Sequence, residues 1–190
     1  MKVLMLNGSP RKEGCTYTAL IQIAGVLEKN GIESEIFQAG TPELENVRAA
    51  AEKMKEADAL IVGSPVYWAS PSGQIIEFMD KFCSLAGKDM LLKPAAAIAS
   101  ARRAGTTATL DVLLNTFHST RCQSFLPTIG IWYTATLRMS TSGQEGIQIM
   151  HVLGKNMAWL LHCLEAGKNA GISKPESEEK VNDKLYPLNL

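Results

Sequence analysis

The chain has 190 residues, of which 46% are hydrophobic and 20% charged; this suits one domain able to bury a core without metal or disulfide staples. Its 19 Lys and Arg balance 19 Asp and Glu, so it lacks the basic excess of a nucleic-acid binder. No stretch approaches the ~20 apolar residues of a membrane helix, and the apolar run closed by Asn7-Gly8 is too short for a signal-peptide core, so the expected location is cytoplasmic.

Val3–Asn7 is a short β-rich run ended by Gly8. Thr16–Asn30 repeats Leu20, Ile23, Ala24 and Leu27 at helical spacing, and Asn30-Gly31 stops it. Ile32–Phe37 reads as an outer strand, and Pro42–Glu56 as a helix with Leu44, Val47, Ala51 and Met54 on one face. Ala59–Gly63 is a buried-strand candidate, followed by a helix over Ser72–Leu85 through Ile75, Phe78, Met79 and Phe82. Ala95–Ala99 predicts a central strand, although alanine is a weak strand former. Thr107–Phe117 is a helix carrying Leu110, Leu113, Leu114 and Phe117, and Phe125–Trp132 is a fifth strand. Gln144–Glu165 is the longest helix, lined by Met150, Leu153, Met157, Leu160, Leu161 and Leu164. A second stripe of Val152, Trp159 and Cys163 makes it apolar on two sides, which points to packing against another subunit. After Gly167 the tail is polar and reads as an extended or partly disordered arm.

Strands alternating with helices predict an α/β fold with an open parallel sheet covered on both faces. Ligands of such sheets bind beyond the carboxyl ends of the strands, at the topological switch point. Three loops there stand out. Asn7-Gly8-Ser9-Pro10-Arg11-Lys12-Glu13-Gly14-Cys15-Thr16 links the first strand to the first helix. It is either a phosphate loop, with helix N–H donors, the Ser9 and Thr16 hydroxyls and the Arg11 charge, or an ordinary capped turn. It is neither a Walker A loop nor GxGxxG. Gly63–Gly73 sets Tyr67 and Trp68 between Pro65 and Pro71. A stiff turn of that kind presents flat apolar faces either to a planar heterocycle or to a neighbouring loop or subunit. Ser100–Thr107 carries Arg102 and Arg103, with Thr106 or Thr107 as the expected helix cap.

The first two loops resemble the phosphate and isoalloxazine loops of the NAD(P)H-dependent FMN reductase family. Ala101–Gly105, Glu145-Gly146 and Leu153–Leu161 are similar to a subgroup akin to iron–sulfur flavoproteins and multimeric flavodoxin-like proteins. The resemblance covers roughly residues 1–168, leaving 169–190 as a C-terminal extension. It implies a flavodoxin-like three-layer sandwich with a five-stranded parallel sheet, in the order 2-1-3-4-5. It also implies bound FMN and a homodimer or homotetramer. By the same resemblance Ser9, Arg11, Cys15, Thr16 and Tyr17 surround the phosphate. Pro65, Val66, Tyr67 and Trp68 flank the ring, and Ser100, Arg102, Arg103 and Gly105 complete the site. An arginine at the pyrimidine edge would stabilise negative charge on a reduced flavin; Arg102 and Arg103 read equally well as surface charges.

Three departures matter. Cys15 stands where relatives commonly carry Asn, at the start of a helix. The four cysteines, Cys15, Cys83, Cys122 and Cys163, include no CxxC pair and none lies between Phe37 and Ala50, so no metal or iron–sulfur cluster is expected. The stretch Trp132–Ala135 differs from the subgroup's fifth loop.

Hydride transfer is the flavin's own chemistry, so no catalytic side chain is required, and His118, His151 and His162 read as structural or surface residues. The expected activity is transfer of electrons from NADPH or NADH through FMN to a quinone-like or other small acceptor. The alternatives are a flavodoxin-type electron carrier, against which the zero net charge weighs, and a flavin-binding module without turnover.

Overall fold

A computed structural model describes residues 1–119, 134–135 and 143–175. The expected strand Phe125–Trp132, Cys122 and most of the tail lie outside the described residues. In chain order the elements are β1 (Lys2–Asn7), α1 (Cys15–Lys29), β2 (Glu33–Gln38), α2 (Leu44–Glu56), β3 (Ala59–Tyr67), β4 (Ser70–Pro71), α3 (Gly73–Met90), β5 (Ala95–Ser100), α4 (Thr106–Ser119), β6 (Thr134–Ala135) and α5 (Gly143–Asn169).

The sheet runs β2-β1-β3-β5-β6, and β4 pairs with β3 off this path. Every pairing on the path is parallel. With β4 set aside, this corresponds to the expected 2-1-3-4-5 order, except that the described fifth strand is Thr134–Ala135, in the stretch expected as the fifth loop; the antiparallel two-residue β4 is a further feature that the alternating pattern did not predict.

β1 explains the layering. It is a nearly continuous apolar run because both of its faces are covered. Val3 and Met5 pack with Leu20, Ile23 and Leu27 of α1 and with Met150, Leu153 and Met157 of α5. Leu4 and Leu6 pack on the other face with Val47 and Met54 of α2, Phe78 and Phe82 of α3, and Leu113 and Phe117 of α4. Phe78 lies between Phe37 and Phe82, with ring centroids 6.4 and 5.9 Å away. β5 is a strand despite its alanines because it pairs with β3 from Leu60↔Ala95 to Pro65↔Ser100, so tertiary context overrides propensity.

Two expectations are corrected. β3 does not end at Gly63 but runs to Tyr67, so the first part of the supposed second loop is strand. The pairing with β1 stops at Asn7↔Gly63 while β5 continues to offer backbone as far as Pro65. The missing Pro65 N–H therefore falls where β3 has a free edge. Leu164, expected on the buried face of α5, is exposed. His151 bonds Gln22, and His162 bonds the carbonyl of Asn30 at the end of α1. α5 therefore runs past the end of α1, and its last turns are mostly exposed.

Candidate functional site

The site is built where β1, β3 and β5 end. The Gly8 N–H donates to the Gly63 carbonyl at 2.8 Å; beyond this point β1 and β3 no longer pair with each other, while β3 continues along β5 as far as Pro65. Asn7, 1% exposed, turns its carboxamide under the loop that follows. Its Oδ1 accepts from the Ser9 N–H at 3.2 Å. Its Nδ2 donates to the carbonyls of Arg11 and Lys12, at 3.3 and 3.2 Å, and to Gln38 Oε1 at 2.8 Å. Gln38 Nε2 donates in turn to the Ser9 carbonyl at 2.5 Å. Ser9 is buried, and its Oγ accepts from the Arg11 N–H at 3.2 Å. The turn after β2 presses on the same loop: a Cβ at Gly40 would overlap the Ser9 carbonyl, so only glycine fits there.

α1 then starts with Gly14 at its cap, no side-chain cap hydrogen bond and no acidic residue in its first turn. Such a start leaves backbone N–H donors at the positive end of the helix dipole. Arg11 and Lys12 are exposed beside it, with Glu13 the one carboxylate in the loop. Anions are stabilised by this combination of donors and charge.

The β3–β4 hairpin turns through Trp68 and Ala69, with φ of 52° and 59°. Two positive values are the mark of a type I′ turn, which favours Asn and Gly. A residue with a Cβ pays a cost of about 1–2 kcal/mol for each such conformation. Trp68 at the tip is 100% exposed and Tyr67 42%. The base of the hairpin is fastened more firmly. Ser64 Oγ accepts from the Ser72 N–H at 3.0 Å. Ser72 Oγ donates to the Gly8 carbonyl at 2.8 Å and accepts from the Ile75 N–H at 3.3 Å, capping α3 and tying the hairpin to the first loop.

The loop after β5 completes the cluster. Gly105 has φ of 93°, and a Cβ there would overlap Ala69 Cα and the Val66 side chain, so this loop lies directly against the hairpin. The Gly105 carbonyl accepts from the Thr109 N–H at 3.1 Å and so takes the cap position expected for Thr106 or Thr107. Thr16 Oγ1 and Ser100 Oγ, both buried, are 2.7 Å apart and join the first turn of α1 to the end of β5. Arg102 and Arg103 are exposed. Each pair among the three loops is thus linked, by Ser72 to Gly8, by Thr16 to Ser100, and by Gly105 against Ala69.

The residues singled out in the sequence therefore fall into distinct settings. Ser9, Thr16 and Ser100 are buried hydroxyls, Tyr17 is half-buried, and Arg11, Cys15, Arg102 and Arg103 are exposed. Pro65 and Val66 are half-buried on the hairpin leg below the exposed Tyr67 and Trp68. Asn7, Ser64 and Ser72 lay in the loops singled out but had no role assigned there, and Gln38 and Gly40 lay outside those loops. Asn7-Gly8 was a turn signal, but nothing local marks Gln38, whose partner Asn7 is 31 residues away. The histidines His151 and His162 fasten α5 to α1 through Gln22 and Asn30.

Fold and site together define a doubly wound, flavodoxin-like protein in which an uncapped helix start is linked to an aromatic hairpin. Residues 1–132 match the NADPH-dependent FMN reductase family, and the chain belongs to that family. It is 31% identical over 138 residues to an iron-sulfur flavoprotein of Methanocaldococcus jannaschii, covering 62% of this chain and 72% of that protein. The fold is similar to that of FerB, a flavoenzyme NAD(P)H:(acceptor) oxidoreductase from Paracoccus denitrificans, with a TM-score of 0.66, 17% identity, and 85% and 97% of the two chains covered. A flavodoxin from the domain Archaea gives a TM-score of 0.62 at 17% identity, over 85% of this chain and 99% of that one. At these identities the two solved structures share the fold alone.

Proposed function

We propose that this protein is an FMN-dependent NAD(P)H oxidoreductase that delivers electrons to a quinone-like or other small acceptor. The observation that carries the reading is the uncapped, acid-free start of α1 beside Arg11, tied by buried hydroxyls to the loops that bear Tyr67, Trp68, Arg102 and Arg103. In this reading the N–H groups of the first turn of α1, the Ser9 hydroxyl and Arg11 hold the phosphate, with Cys15, Thr16 and Tyr17 around it. Pro65 to Trp68 border the ring, and the loop of Ser100 and Gly105 closes the site. Bound FMN would supply the hydride and electron chemistry, which is why no side-chain acid or base is called for. Arg102 and Arg103 would stabilise negative charge at the ring edge. The exposed Tyr67 and Trp68 offer flat apolar surface for the donor and then the acceptor to use in turn.

No iron–sulfur cluster is part of this proposal, and the three described cysteines are dispersed. Cys15, Cys83 and Cys163 lie on α1, α3 and α5, and α3 is on the opposite face of the sheet from the other two. Among the described residues no group of three or more His, Cys, Asp or Glu could hold a metal ion. Assembly into a homodimer or homotetramer belongs to the same proposal, with the exposed Trp159 on α5 as the surface involved.

The test is an anaerobic titration of the FMN-reconstituted protein with NADPH and then NADH, followed by visible absorption. Rapid bleaching by either nucleotide is expected and names the donor. A flavin that binds yet stays oxidised with both would contradict the enzyme reading and favour an electron carrier or a module without turnover.

A further inference from the structure

We infer that Gln38, the last residue of β2, is a positioning residue for phosphate recognition, acting with Asn7 to hold the carbonyls of the first loop inward so that its N–H groups face the anion. The inference rests on the FMN reading above and deepens it.

Between them the two carboxamides engage four backbone groups of the loop: the Ser9 N–H and the carbonyls of Ser9, Arg11 and Lys12. The carbonyl and N–H of a trans peptide point in opposite directions, and no described peptide bond is cis. Drawing the Arg11 and Lys12 carbonyls toward Asn7 therefore turns the Lys12 and Glu13 N–H groups to the other side of the loop. The peptide that follows the Ser9 carbonyl belongs to Pro10, which has no N–H to redirect. The redirected donors run on into Gly14 and the uncapped first turn of α1. Successive N–H groups of this kind form a concave anion site.

Gln38 decides how Asn7 is oriented. The Asn7 Nδ2 has two hydrogens for three acceptors. One hydrogen serves the adjacent Arg11 and Lys12 carbonyls, and the other goes to Gln38 Oε1. With its oxygen so used, Gln38 has its own Nε2 left for the Ser9 carbonyl, and it makes that bond. The position therefore requires an amide. A carboxylate would still accept from Asn7, but it could not donate to Ser9, and it would place a negative charge behind the anion. Gly40, two residues on, has no room for a Cβ against the Ser9 carbonyl, so the end of β2 and the loop meet at fixed separation.

The experiment compares FMN with riboflavin, which lacks the phosphate, by flavin-fluorescence titration of the wild-type chain and of Gln38→Glu and Gln38→Met. Thermal melts accompany each titration. The wild type is expected to prefer FMN. Gln38→Glu should weaken FMN by about tenfold or more and leave riboflavin within about twofold, because a lost bond to a charged-group site and one added repulsion amount to a factor of that order. Gln38→Met, which removes the bonds without adding charge, should show a smaller loss of the same kind, and it decides the matter if Gln38→Glu fails to fold. Equal losses for both ligands, or an unchanged FMN affinity, would overturn the role given to Gln38. A wild type that binds both flavins equally, or neither, would remove the phosphate reading itself, a failure distinct from that of Gln38.

Discussion

The loop of residues 8–14 is held by side chains beneath it, Asn7 and Gln38, whose partners are all backbone or amide groups. The β3–β4 hairpin ends instead in a fully exposed Trp68 on a turn with two positive φ values, kept in place by its hydrogen-bonded base and by contact with Gly105. The first region gets its shape from directed polar bonds and should respond to changes in polarity. The second gets it from backbone geometry and close packing, and should respond to changes in volume. A ligand spanning both would feel the two kinds of change at different ends.

Substitutions at the two tight glycines should separate the regions most sharply. Gly40→Ala and Gly105→Ala each force backbone to move, because the new Cβ meets the Ser9 carbonyl in one case and Ala69 Cα in the other. Each is expected to cost about 1–3 kcal/mol of stability, the usual range for overpacking or strain, readable by denaturant melts. Gly40→Ala should weaken FMN selectively, whereas Gly105→Ala should weaken FMN and riboflavin alike. The reverse pattern would break the assignment of the two ends.

Arg11→Ala should weaken FMN binding by about 1 kcal/mol, an ordinary value for a hydrogen-bonded charge at a partly exposed site, and the loss should shrink as salt is raised. An unchanged affinity takes Arg11 out of the phosphate site. On the hairpin, Ala69→Gly removes the Cβ from a positive-φ position and should stabilise the fold by about 0.5 kcal/mol, strain relief offset partly by added chain entropy. A lower melting temperature would mean that the turn is not strained.

The smallest effect is expected away from both regions. Glu35 on β2 is bonded by Lys53 at 2.6 Å and Lys2 at 3.2 Å. The Lys53 hydrogen bond first, and Lys2 with it, hold its carboxyl below the ordinary value of 4.5, against a desolvation effect of opposite sign. A depressed carboxyl contributes stability that is present above its ordinary value and lost as pH falls through the lower folded one. Glu35→Gln should therefore flatten part of the acid decline in melting temperature below about pH 4.5, by roughly a few tenths of a kcal/mol, and leave flavin binding unchanged.

Most of the fold was legible because its signals are local. Helical spacing found the five long helices, the apolar runs found β1, β3 and β5, and the family resemblance supplied their order. The uncapped start of α1 was legible in the same way, as a strand, a Gly- and Ser-bearing loop and a helix in succession. What escaped depended on contacts distant in sequence. β3 continues past Gly63 because β5 offers it partners as far as Pro65 and β4 pairs with Val66 and Tyr67. The hairpin was hidden because Trp68-Ala69 has none of the Asn-Gly chemistry that announces a type I′ turn. Gln38 looked like an ordinary polar strand end until Asn7 was seen beneath the same loop.

The central claim is that the start of α1 and the loops tied to it hold one FMN. Its most direct test is a fluorescence titration of the wild-type chain with FMN. The account predicts saturation at one FMN per chain with a change in flavin emission; a titration with no saturable binding would contradict it.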